Sequence, residues 1–505
     1  MGNIPPGRWL SMEAVIGQIL ADSSTGRPEI AFAISGGGAT GAYEAGVIDA
    51  WMQVVEARYG ADADRLRPRF ILGSSAGALN ATTLLVQLLR PTAGARFGYE
   101  VWRAISPRAA PYVVGRGRSS LVDVATRWIK LPFLAIAVLA ALLILLVLLI
   151  INPVLFGVLL AHIPGPGVLS EWILEHPRIA ALVGALIGSG VILAFAILFR
   201  RAAFRNDSLK NTLANVLEVS CDPQTQTVPP REMSKRADEV RSGEDLVASW
   251  WAAQGGARPN YIVTATDLSM GGANLFTLVE PRVFARLANR GWQVMQLADS
   301  VSRLAAYLGP SGNCGWVKSA DFVTCVAAST SIPGVFPAQR ITLQGLVGND
   351  IVEHDFVDGG VLNNSPIHIA FDAGATHVIS FELEPLSQHS AFRYIAEGEL
   401  PNLGRNLVQT FETLLSHSTA EGIHSASAWN REILEQGGRH APNKRLVPIF
   451  RMAPRRRELN LMDFDGHYES AFSRAKPSLV QWLDQGAIDA RTEALFWDAT
   501  FQADP

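Results

Sequence analysis

The sequence contains little cysteine. Three cysteines occur in 505 residues, and none of them forms a C-x-x-C pair or a cysteine–histidine cluster. Disulfide frameworks and structural zinc sites need several suitably spaced ligands, so the chain is predicted to have neither. We expect reduced thiols in a cytosolic or membrane-bound protein, with no metal and no cofactor.

The sequence also lacks an excess of positive charge. It has 43 Lys and Arg against 46 Asp and Glu, for a net charge of -3. Nucleic-acid-binding domains are usually basic, so no nucleic-acid partner is predicted. A secretory signal is not predicted either, because the weakly apolar residues 11–20 include Glu13 and Gln18 and follow no basic run.

Two long runs without charge are present. Residues 133–151 are apolar throughout, the run continues to residue 161, and a second uncharged run covers residues 179–199. About 20 apolar residues cross a bilayer, and a buried helix of a soluble protein normally has a polar side. We therefore predict an inserted two-helix transmembrane hairpin at residues 127–205. The alternative is a hydrophobic hairpin that packs on a partner or enters one leaflet.

Basic residues flank the outer ends of both runs. They are Arg116, Arg118, Arg127, Lys130, Arg200, Arg201, Arg205 and Lys210. The connecting loop, residues 162–178, contains Glu171, Glu175 and a single basic residue, Arg178. By the positive-inside rule, both ends of the hairpin are cytoplasmic. We expect a multi-pass protein of the bacterial inner membrane whose remaining chain lies on the cytoplasmic side.

Residues 73–77 read G-S-S-A-G and match the G-x-S-x-G pattern. A short apolar strand, Phe70 to Leu72, precedes the motif, and a helical run from Ala78 to Leu89 follows it. This is the context of a nucleophile elbow, in which a sharp turn exposes the serine hydroxyl. Ser75 is thus the candidate nucleophile. The alternative is a Gly/Ser turn without chemistry.

A glycine-rich segment follows an earlier predicted strand, residues 29–34. We call Gly36, Gly37 and Gly38 the glycine loop; a helical pattern continues from it through Val55. Free backbone N–H groups in such a loop can bind a phosphate or stabilise an oxyanion. A dinucleotide site would need G-x-G-x-x-G and an acidic residue after the next strand, which here ends in the serine elbow. The loop is therefore interpreted as an oxyanion hole.

Asp358 follows a third predicted strand and precedes two glycines. Alternating strands and helices predict a parallel sheet covered on both faces, with active sites at the carboxyl ends of the strands. The glycine loop, Ser75 and Asp358 can therefore meet at one edge. A serine nucleophile needs a base, and Asp358 is the candidate. Asp-Gly-Gly is also a strong turn signal, so a turn aspartate is the alternative.

Histidine is the other candidate for the base. Eight histidines follow the serine outside the hairpin loop: His354, His368, His377, His389, His417, His424, His440 and His467. An α/β-hydrolase needs a late acid followed by a histidine, which Asp372 with His377 or Asp465 with His467 could supply. This alternative is a histidine-dependent esterase or thioesterase. A third is a non-catalytic membrane scaffold or lipid-binding module.

Several ordered motifs together resemble the patatin-like phospholipase family. They are Gly36-Gly37-Gly38 with Gly41 and Gly46-Val47, then residues 73–78, then Asp358-Gly359-Gly360. Residues 264–268, 328–337 and 360–366 also resemble bacterial members. The resemblance covers residues 28–383 apart from the hairpin and its connectors.

The resemblance implies an α/β fold, a three-layer α/β/α arrangement with a mostly parallel sheet. It implies a Ser-Asp dyad of Ser75 and Asp358 and an oxyanion hole at the glycine loop. Supporting glycines would be Gly41, Gly73, Gly77, Gly359 and Gly360. It further implies calcium-independent hydrolysis of acyl esters, of the phospholipase A or lysophospholipase type, on a membrane phospholipid or other acyl lipid in the bilayer. Thr40 stands where many members have Arg or Lys, so a cation beside the oxyanion loop is not predicted.

The predicted organisation has six parts. They are an N-terminal segment (1–27), a first part of the core (28–126), the hairpin (127–205), a connector (206–258), a second part of the core (259–392) and a C-terminal helical region (393–505).

Overall fold

The computed structural model describes most of the predicted core and parts of the C-terminal region. The described residues are 9–22, 27–89, 98–99, 101–102, 210, 213, 247–248, 251–253, 258–297, 314–318, 321–333, 336–345, 351–383, 403–435, 446–454, 479–491 and 496–498. The chain divides into two units, Met1–Gly115 with Phe204–Pro505, and Arg116–Ala203. The predicted hairpin and nearly all of the connector lie outside the described residues. Within the described part of the chain, no helix combines the length and the apolar character that a membrane crossing needs.

The centre of the sheet is parallel. Five strands pair in the order β11-β10-β2-β3-β4, every pair parallel. Their bounds are β2 Ile30–Ile34, β3 Phe70–Gly73, β4 Asn260–Asp267, β10 His377–Phe381 and β11 Ile449–Met452. With helices between these strands, the predicted α/β class is confirmed.

The rest of the sheet is largely antiparallel. Beyond β4 lie β5 Gly272–Leu278, β6 Gln293–Leu297, β7 Cys314–Val317, β8 Gln339–Gly345 and β9 Ile351–Asp358. At the other edge, the short strands β1 Trp9–Leu10 and β12 Phe496–Asp498 extend from β11. Among the described pairings six are parallel and six antiparallel, so the prediction of a mostly parallel sheet is wrong. Residues 268–271 join β4 to β5, and a connection that short allows only an antiparallel return.

Strand β9 also pairs with β4, antiparallel to it. In this register Asp358 lies opposite Ala265 and Gly73 of β3 lies opposite Val263. Because β5 pairs along the other edge of β4, from residue 261 to residue 267, β3 and β9 occupy the same edge of β4. The end of the nucleophile strand and Asp358 therefore lie about two residues apart along one edge of β4.

The described residues include ten α-helices with defined bounds. Their bounds are α1 Met12–Asp22, α2 Gly41–Arg58, α3 Ala63–Leu66, α4 Ala76–Leu89, α5 Pro281–Asn289, α6 Phe322–Ser329, α7 Gly360–Asn363, α8 Ile367–Ala373, α9 Leu403–Glu435 and α10 Leu479–Arg491. Short 3₁₀ turns cover Gly38–Thr40 and Gly60–Asp62.

Hydrophobic side chains cover both faces of the sheet. Alternate residues of a strand point to opposite faces. On β2, Phe32 belongs to a core with Trp51 of α2, and Ala33 belongs to a second core with Ile369 of α8. Each large side chain buried in this way contributes roughly 1.5–3 kcal/mol. Residues on both faces of β2 are thus fixed, and so is the glycine loop that follows the strand.

The C-terminal region adds both strands and helices to this core. Residues 393–505 were expected to be helical, and they also supply β11 and β12 to the sheet. Helix α10 packs closely on α2: a Cβ at Gly46 would lie 2.0 Å from the Leu483 carbonyl oxygen, and one at Gly486 would lie 2.1 Å from that of Tyr43. Two glycines therefore permit the backbones of these helices to touch.

Candidate active site

Ser75 lies in a sharp turn between β3 and α4. Its φ is 53°, and it is the non-glycine residue with positive φ among the described residues. A serine in the left-handed region is uncommon and is held there by its surroundings. Here Gly77 approaches β2 closely, since a Cβ on it would lie 2.2 Å from the Ile34 carbonyl oxygen. The predicted strand–turn–helix context of the motif is present.

The Ser75 side chain contacts Asp358. Its Oγ donates a hydrogen bond of 2.6 Å to Asp358 Oδ2, across 283 residues of sequence. The other carboxylate oxygen, Oδ1, accepts a 2.7 Å hydrogen bond from the Gly360 N–H. Ser75 is 1% exposed and Asp358 is fully buried. The carboxylate is thus oriented by the backbone on one side and faces the serine hydroxyl on the other.

The surroundings of Asp358 favour its protonated form. Burial raises the pKa of its carboxyl to about 7, although the hydrogen bonds from Ser75 and the Gly360 N–H act to lower it. A general base is most effective when its pKa lies near the working pH. At neutral pH this carboxyl can therefore both accept and return a proton.

The end of helix α6 joins Ser75 to Asp358. The Ser329 hydroxyl accepts a 3.1 Å hydrogen bond from the Ser75 N–H. The backbone carbonyl oxygens of Ser331 and Ser329 accept hydrogen bonds from the N–H groups of Asp358 and Gly359, at 2.9 and 3.2 Å. One short segment therefore fixes the backbone on both sides of the Ser75–Asp358 contact.

The glycine loop lies directly beside Ser75. A Cβ at Gly36 would stand 2.3 Å from Ser75 Cβ, and Gly38 has a φ of 56°. The N–H of Gly36 donates to Asn364 Oδ1, while no described residue accepts a hydrogen bond from the N–H of Gly37 or Gly38. The loop therefore combines one N–H that is already bonded with two that can bind an incoming oxygen.

Thr40 closes the turn of the glycine loop. Its N–H and its hydroxyl both donate to the Gly37 carbonyl oxygen, at 3.1 and 2.5 Å. Thr40 thus has a local role in this turn. It fixes the Gly37 carbonyl oxygen with two hydrogen bonds.

A pocket lies between the glycine loop and helix α9. It is lined by Ser35, Gly36, Gly37, Thr40, Asn364, Leu383, Glu412, Leu415, Ser416 and Thr419. On the Asp358 side, Leu415 reaches within 2.5 Å of where a Gly360 Cβ would stand. Leu415 also belongs to a small apolar cluster with Ile332 and Phe411, against which Phe336 and Val361 pack. Helix α9 thus supplies both polar and apolar groups beside the dyad.

Three of the described histidines that follow the serine contact groups other than Ser75. His354 Nδ1 lies 2.6 Å from Asp267, His368 Nε2 lies 3.6 Å from Asp372, and His377 Nδ1 lies 2.9 Å from the Thr376 hydroxyl. No hydrogen bond joins Ser75 to a histidine in the part of the chain that the structure describes. His389, His440 and His467 lie outside the described residues, as does Asp465.

Sequence reasoning assigned no role to three buried polar residues around the site. Ser329 and Asn364 fall within motif segments, but a motif does not say which backbone group a side chain bonds. Glu44 of α2 is 1% exposed, accepts a hydrogen bond from Asn80 and has its pKa raised by burial. An acidic residue in the first turn of a helix reads as an exposed, dipole-compensating group, so its burial had no sequence signal.

One known protein family matches a region that contains the glycine loop, Ser75 and Asp358. The family model of patatin-like phospholipases matches residues 32–371, more than half of the chain. A search of curated proteins finds no match. Among solved structures, the chain is similar to VipD from Legionella pneumophila, with 11% sequence identity and a TM-score of 0.30. That comparison covers 92% of this chain and 66% of the VipD chain, so the chain spans slightly less than two thirds of its length.

Proposed function

Because the chain belongs to the patatin-like phospholipase family, we propose that it is a membrane-anchored lipid acyl hydrolase with a Ser75–Asp358 dyad. The observation that carries the proposal is the 2.6 Å hydrogen bond between Ser75 Oγ and a buried Asp358 carboxylate oxygen. No third residue is required to orient this base, since the Gly360 N–H already holds its other oxygen.

In the first half of the reaction, Ser75 Oγ attacks the ester carbonyl carbon while its proton passes to Asp358 Oδ2. The carbonyl oxygen becomes an oxyanion and is bound by the N–H groups of Gly37 and Gly38. Preorganised donors of this kind are usually the largest single contribution, and loss of one costs about 10²–10³ in rate. The intermediate then breaks its C–O bond, and Asp358 returns the proton to the leaving alcohol.

In the second half, water attacks the acyl-enzyme. Asp358 accepts a proton from the water as its oxygen bonds to the acyl carbon, and the same N–H groups bind the second oxyanion. Breaking the bond to Ser75 Oγ returns that proton to the serine and releases a carboxylic acid. A pKa of about 7 suits a group that accepts and donates the proton within one turnover.

An acyl lipid is the proposed substrate. The apolar cluster of Ile332, Phe411 and Leu415 beside the dyad can accept an acyl chain, and the pocket at α9 leads to the glycine loop. Since Ser75 is only 1% exposed, ester binding requires a neighbouring element to move. The predicted hairpin, residues 127–205, would hold the site at the cytoplasmic face of the bilayer, within reach of phospholipids or other acyl lipids.

The test combines a serine-directed probe with lipid hydrolysis. Purified full-length protein is incubated with a fluorophosphonate and, separately, with phosphatidylcholine vesicles and a soluble nitrophenyl ester. We expect Ser75→Ala to abolish labelling and turnover, and Asp358→Asn to lower turnover by at least ~10³-fold. Ser74→Ala is the matched control, because the adjacent hydroxyl is buried and has no hydrogen-bond partner among the residues that the structure describes.

Each outcome separates the proposal from its alternatives. Labelling of Ser75 that survives Asp358→Asn, but not replacement of a histidine, would identify a histidine-dependent esterase. Folded protein that neither reacts with the probe nor hydrolyses any ester would indicate a scaffold or lipid-binding module. Activity on the soluble ester without release of fatty acid from vesicles would contradict the proposed lipid substrate but not the proposed serine mechanism.

A further inference from the structure

The Asn364 side chain forms hydrogen bonds with both the N–H group and the carbonyl oxygen of Gly36 in the glycine loop. Its Oδ1 accepts a 2.9 Å hydrogen bond from the Gly36 N–H, and its Nδ2 donates to the Gly36 carbonyl oxygen at 3.1 Å. Asn364 is 2% exposed, so these bonds form without competition from water. They fix both the position and the orientation of Gly36, the residue directly before the proposed oxyanion donors.

We propose that Asn364 is a positioning residue that sets the oxyanion hole and connects it to helix α9. This inference rests on the proposed function, and it assigns to Asn364 a contribution to turnover made through Gly36 rather than by contact with the substrate. Asn364 bonds to neither Ser75 nor Asp358, so its removal leaves the dyad contact in place.

The connection to α9 is direct. Asn364 Nδ2 also donates to the Thr419 hydroxyl at 2.8 Å, and that hydroxyl donates to the Leu415 carbonyl oxygen at 2.9 Å. The Asn364 N–H donates to the Ser418 hydroxyl at 2.9 Å. Three residues of one helix therefore position the side chain and the backbone of Asn364.

Steric fit places the amide between the two halves of the site. A Cβ at Gly36 would stand 2.5 Å from Asn364 Oδ1, and a Cβ at Gly360 would stand 2.6 Å from the same atom. The oxygen thus fills the space between the glycine loop and the turn that carries Asp358. Because both glycines close on it, a shift of Asn364 would move the oxyanion donors relative to the dyad.

Misplacement of a catalytic group by about 1 Å can cost ~10²-fold in rate. We therefore expect Asn364→Ala to lower kcat on a soluble ester by ~10²-fold, with KM changed by less than about threefold. The rate of fluorophosphonate labelling falls in parallel, because the phosphoryl oxygen of the probe occupies the same hole. Asn364→Asp keeps an acceptor for the Gly36 N–H but loses the Nδ2 donations to Gly36, Leu415 and Thr419, so it recovers only part of the loss.

The chain offers a matched control on α9, the helix that Asn364 contacts. Asn430 is 3% exposed and forms the same pair of hydrogen bonds with Val447. It accepts from the Val447 N–H at 3.0 Å and donates to the Val447 carbonyl oxygen at 2.8 Å. Asn430→Ala loses an equivalent pair of buried hydrogen bonds outside the glycine loop. We expect it to lower the unfolding temperature as Asn364→Ala does, while kcat stays within about twofold of wild type.

Thr419→Val provides a second test of the proposal if Asn364→Ala does not fold. It removes the hydroxyl that Asn364 bonds while the Gly36 contacts remain, and we expect a roughly tenfold loss of kcat at a near-native unfolding temperature. The inference is overturned if Asn364→Ala, or Thr419→Val where the former is unfolded, retains wild-type kcat. It is equally overturned if Asn430→Ala loses as much kcat. Wild-type protein that shows no Ser75-dependent turnover would instead refute the proposed function.

Discussion

Burial and basicity are linked at Asp358. A carboxylate in an apolar interior costs free energy, and this cost raises the pKa of Asp358 to about 7. A carboxylate with the usual pKa near 4 would be a weak base for a serine proton. The buried position of this side chain therefore prepares the proposed base, and it makes turnover sensitive to pH near neutrality.

The pH dependence of turnover follows from that pKa. Only the ionised carboxylate can accept the Ser75 proton, so kcat/KM is expected to rise about tenfold per pH unit below about pH 7 and to level off above it. The measurement is a pH–rate profile on a soluble ester. Glu44→Gln is the control, because Glu44 is a second buried acid whose pKa is raised, and the acid limb must persist without it. A profile that is flat between pH 5 and 8 would contradict the assignment of Asp358 as the base.

Ionisation of Asp358, which promotes turnover, lowers the stability of the folded protein. Between about pH 4, the pKa in the unfolded chain, and about pH 7, the native protein holds a proton that the unfolded chain has released. The free energy of unfolding therefore decreases as pH rises through this window. Asp358→Asn removes the effect, and we expect it to stabilise the protein by up to about 4 kcal/mol at pH 8 and by less at pH 5. Thermal unfolding of both proteins at the two pH values tests this; equal shifts at both would exclude a buried, titrating Asp358.

Elements near the site were predictable from the sequence where apolar runs end in glycine. The strand before the glycine loop and the strand–elbow–helix unit occur with bounds within a few residues of those predicted. Strands β5 to β8 were not predicted, because their apolar residues alternate weakly and their pairing depends on a return that only three dimensions reveal. Strand β11 had a usable signal in the apolar residues around Ile449, but the region was interpreted as helical.

Contacts between distant residues were the least predictable feature of the site. The prediction that Ser75 and Asp358 meet assumed parallel strands, whereas β9 pairs antiparallel with β4 and brings Asp358 next to the end of β3. The contact of Asn364 with Gly36 spans 328 residues and leaves no local pattern. A single sequence indicates the residue types of a site and the strands that they follow. It does not give the partner of each amide.

The crossing of α2 and α10 depends on the absence of side chains. A Cβ at Gly46 would stand 2.0 Å from the Leu483 carbonyl oxygen, so Gly46→Ala must push the helices apart. Overpacking of this kind costs typically 1–3 kcal/mol. Gly17 of α1 is the matched helical control, since no described residue lies within 4 Å of its Cβ position, and Gly17→Ala should stabilise the protein by up to ~1 kcal/mol. Chemical denaturation of both variants measures the difference. Equal stability would show that the two helices can separate without cost.

At the scale of the whole molecule, the site is assembled from both halves of the chain. Residues before the predicted hairpin supply the glycine loop and Ser75, and residues after it supply Asp358, Asn364 and helix α9. Folding of the site therefore requires the chain to return to the same sheet after residues 127–205. An insertion at that point is compatible with the family core, because loops between core elements tolerate long additions at small entropic cost.

The predicted position in the membrane is the last property to test. Two uncharged runs flanked by Arg and Lys predict that the full chain resists extraction from bacterial membranes by alkaline carbonate. Because both ends of the hairpin are predicted to be cytoplasmic, a tag at the C-terminus should be protected from protease in intact spheroplasts and cleaved in inverted vesicles. Leu143→Lys with Leu146→Lys places two charges in the first run, each costing about 2.5–3.5 kcal/mol at a helix centre, and should release the protein into the carbonate supernatant. Leu268→Lys is the control, since this side chain is exposed, belongs to the described part of the chain and lies outside both runs. Extraction of the wild-type protein by carbonate would show that the runs do not anchor it, and cleavage of the tag in spheroplasts would reverse the orientation.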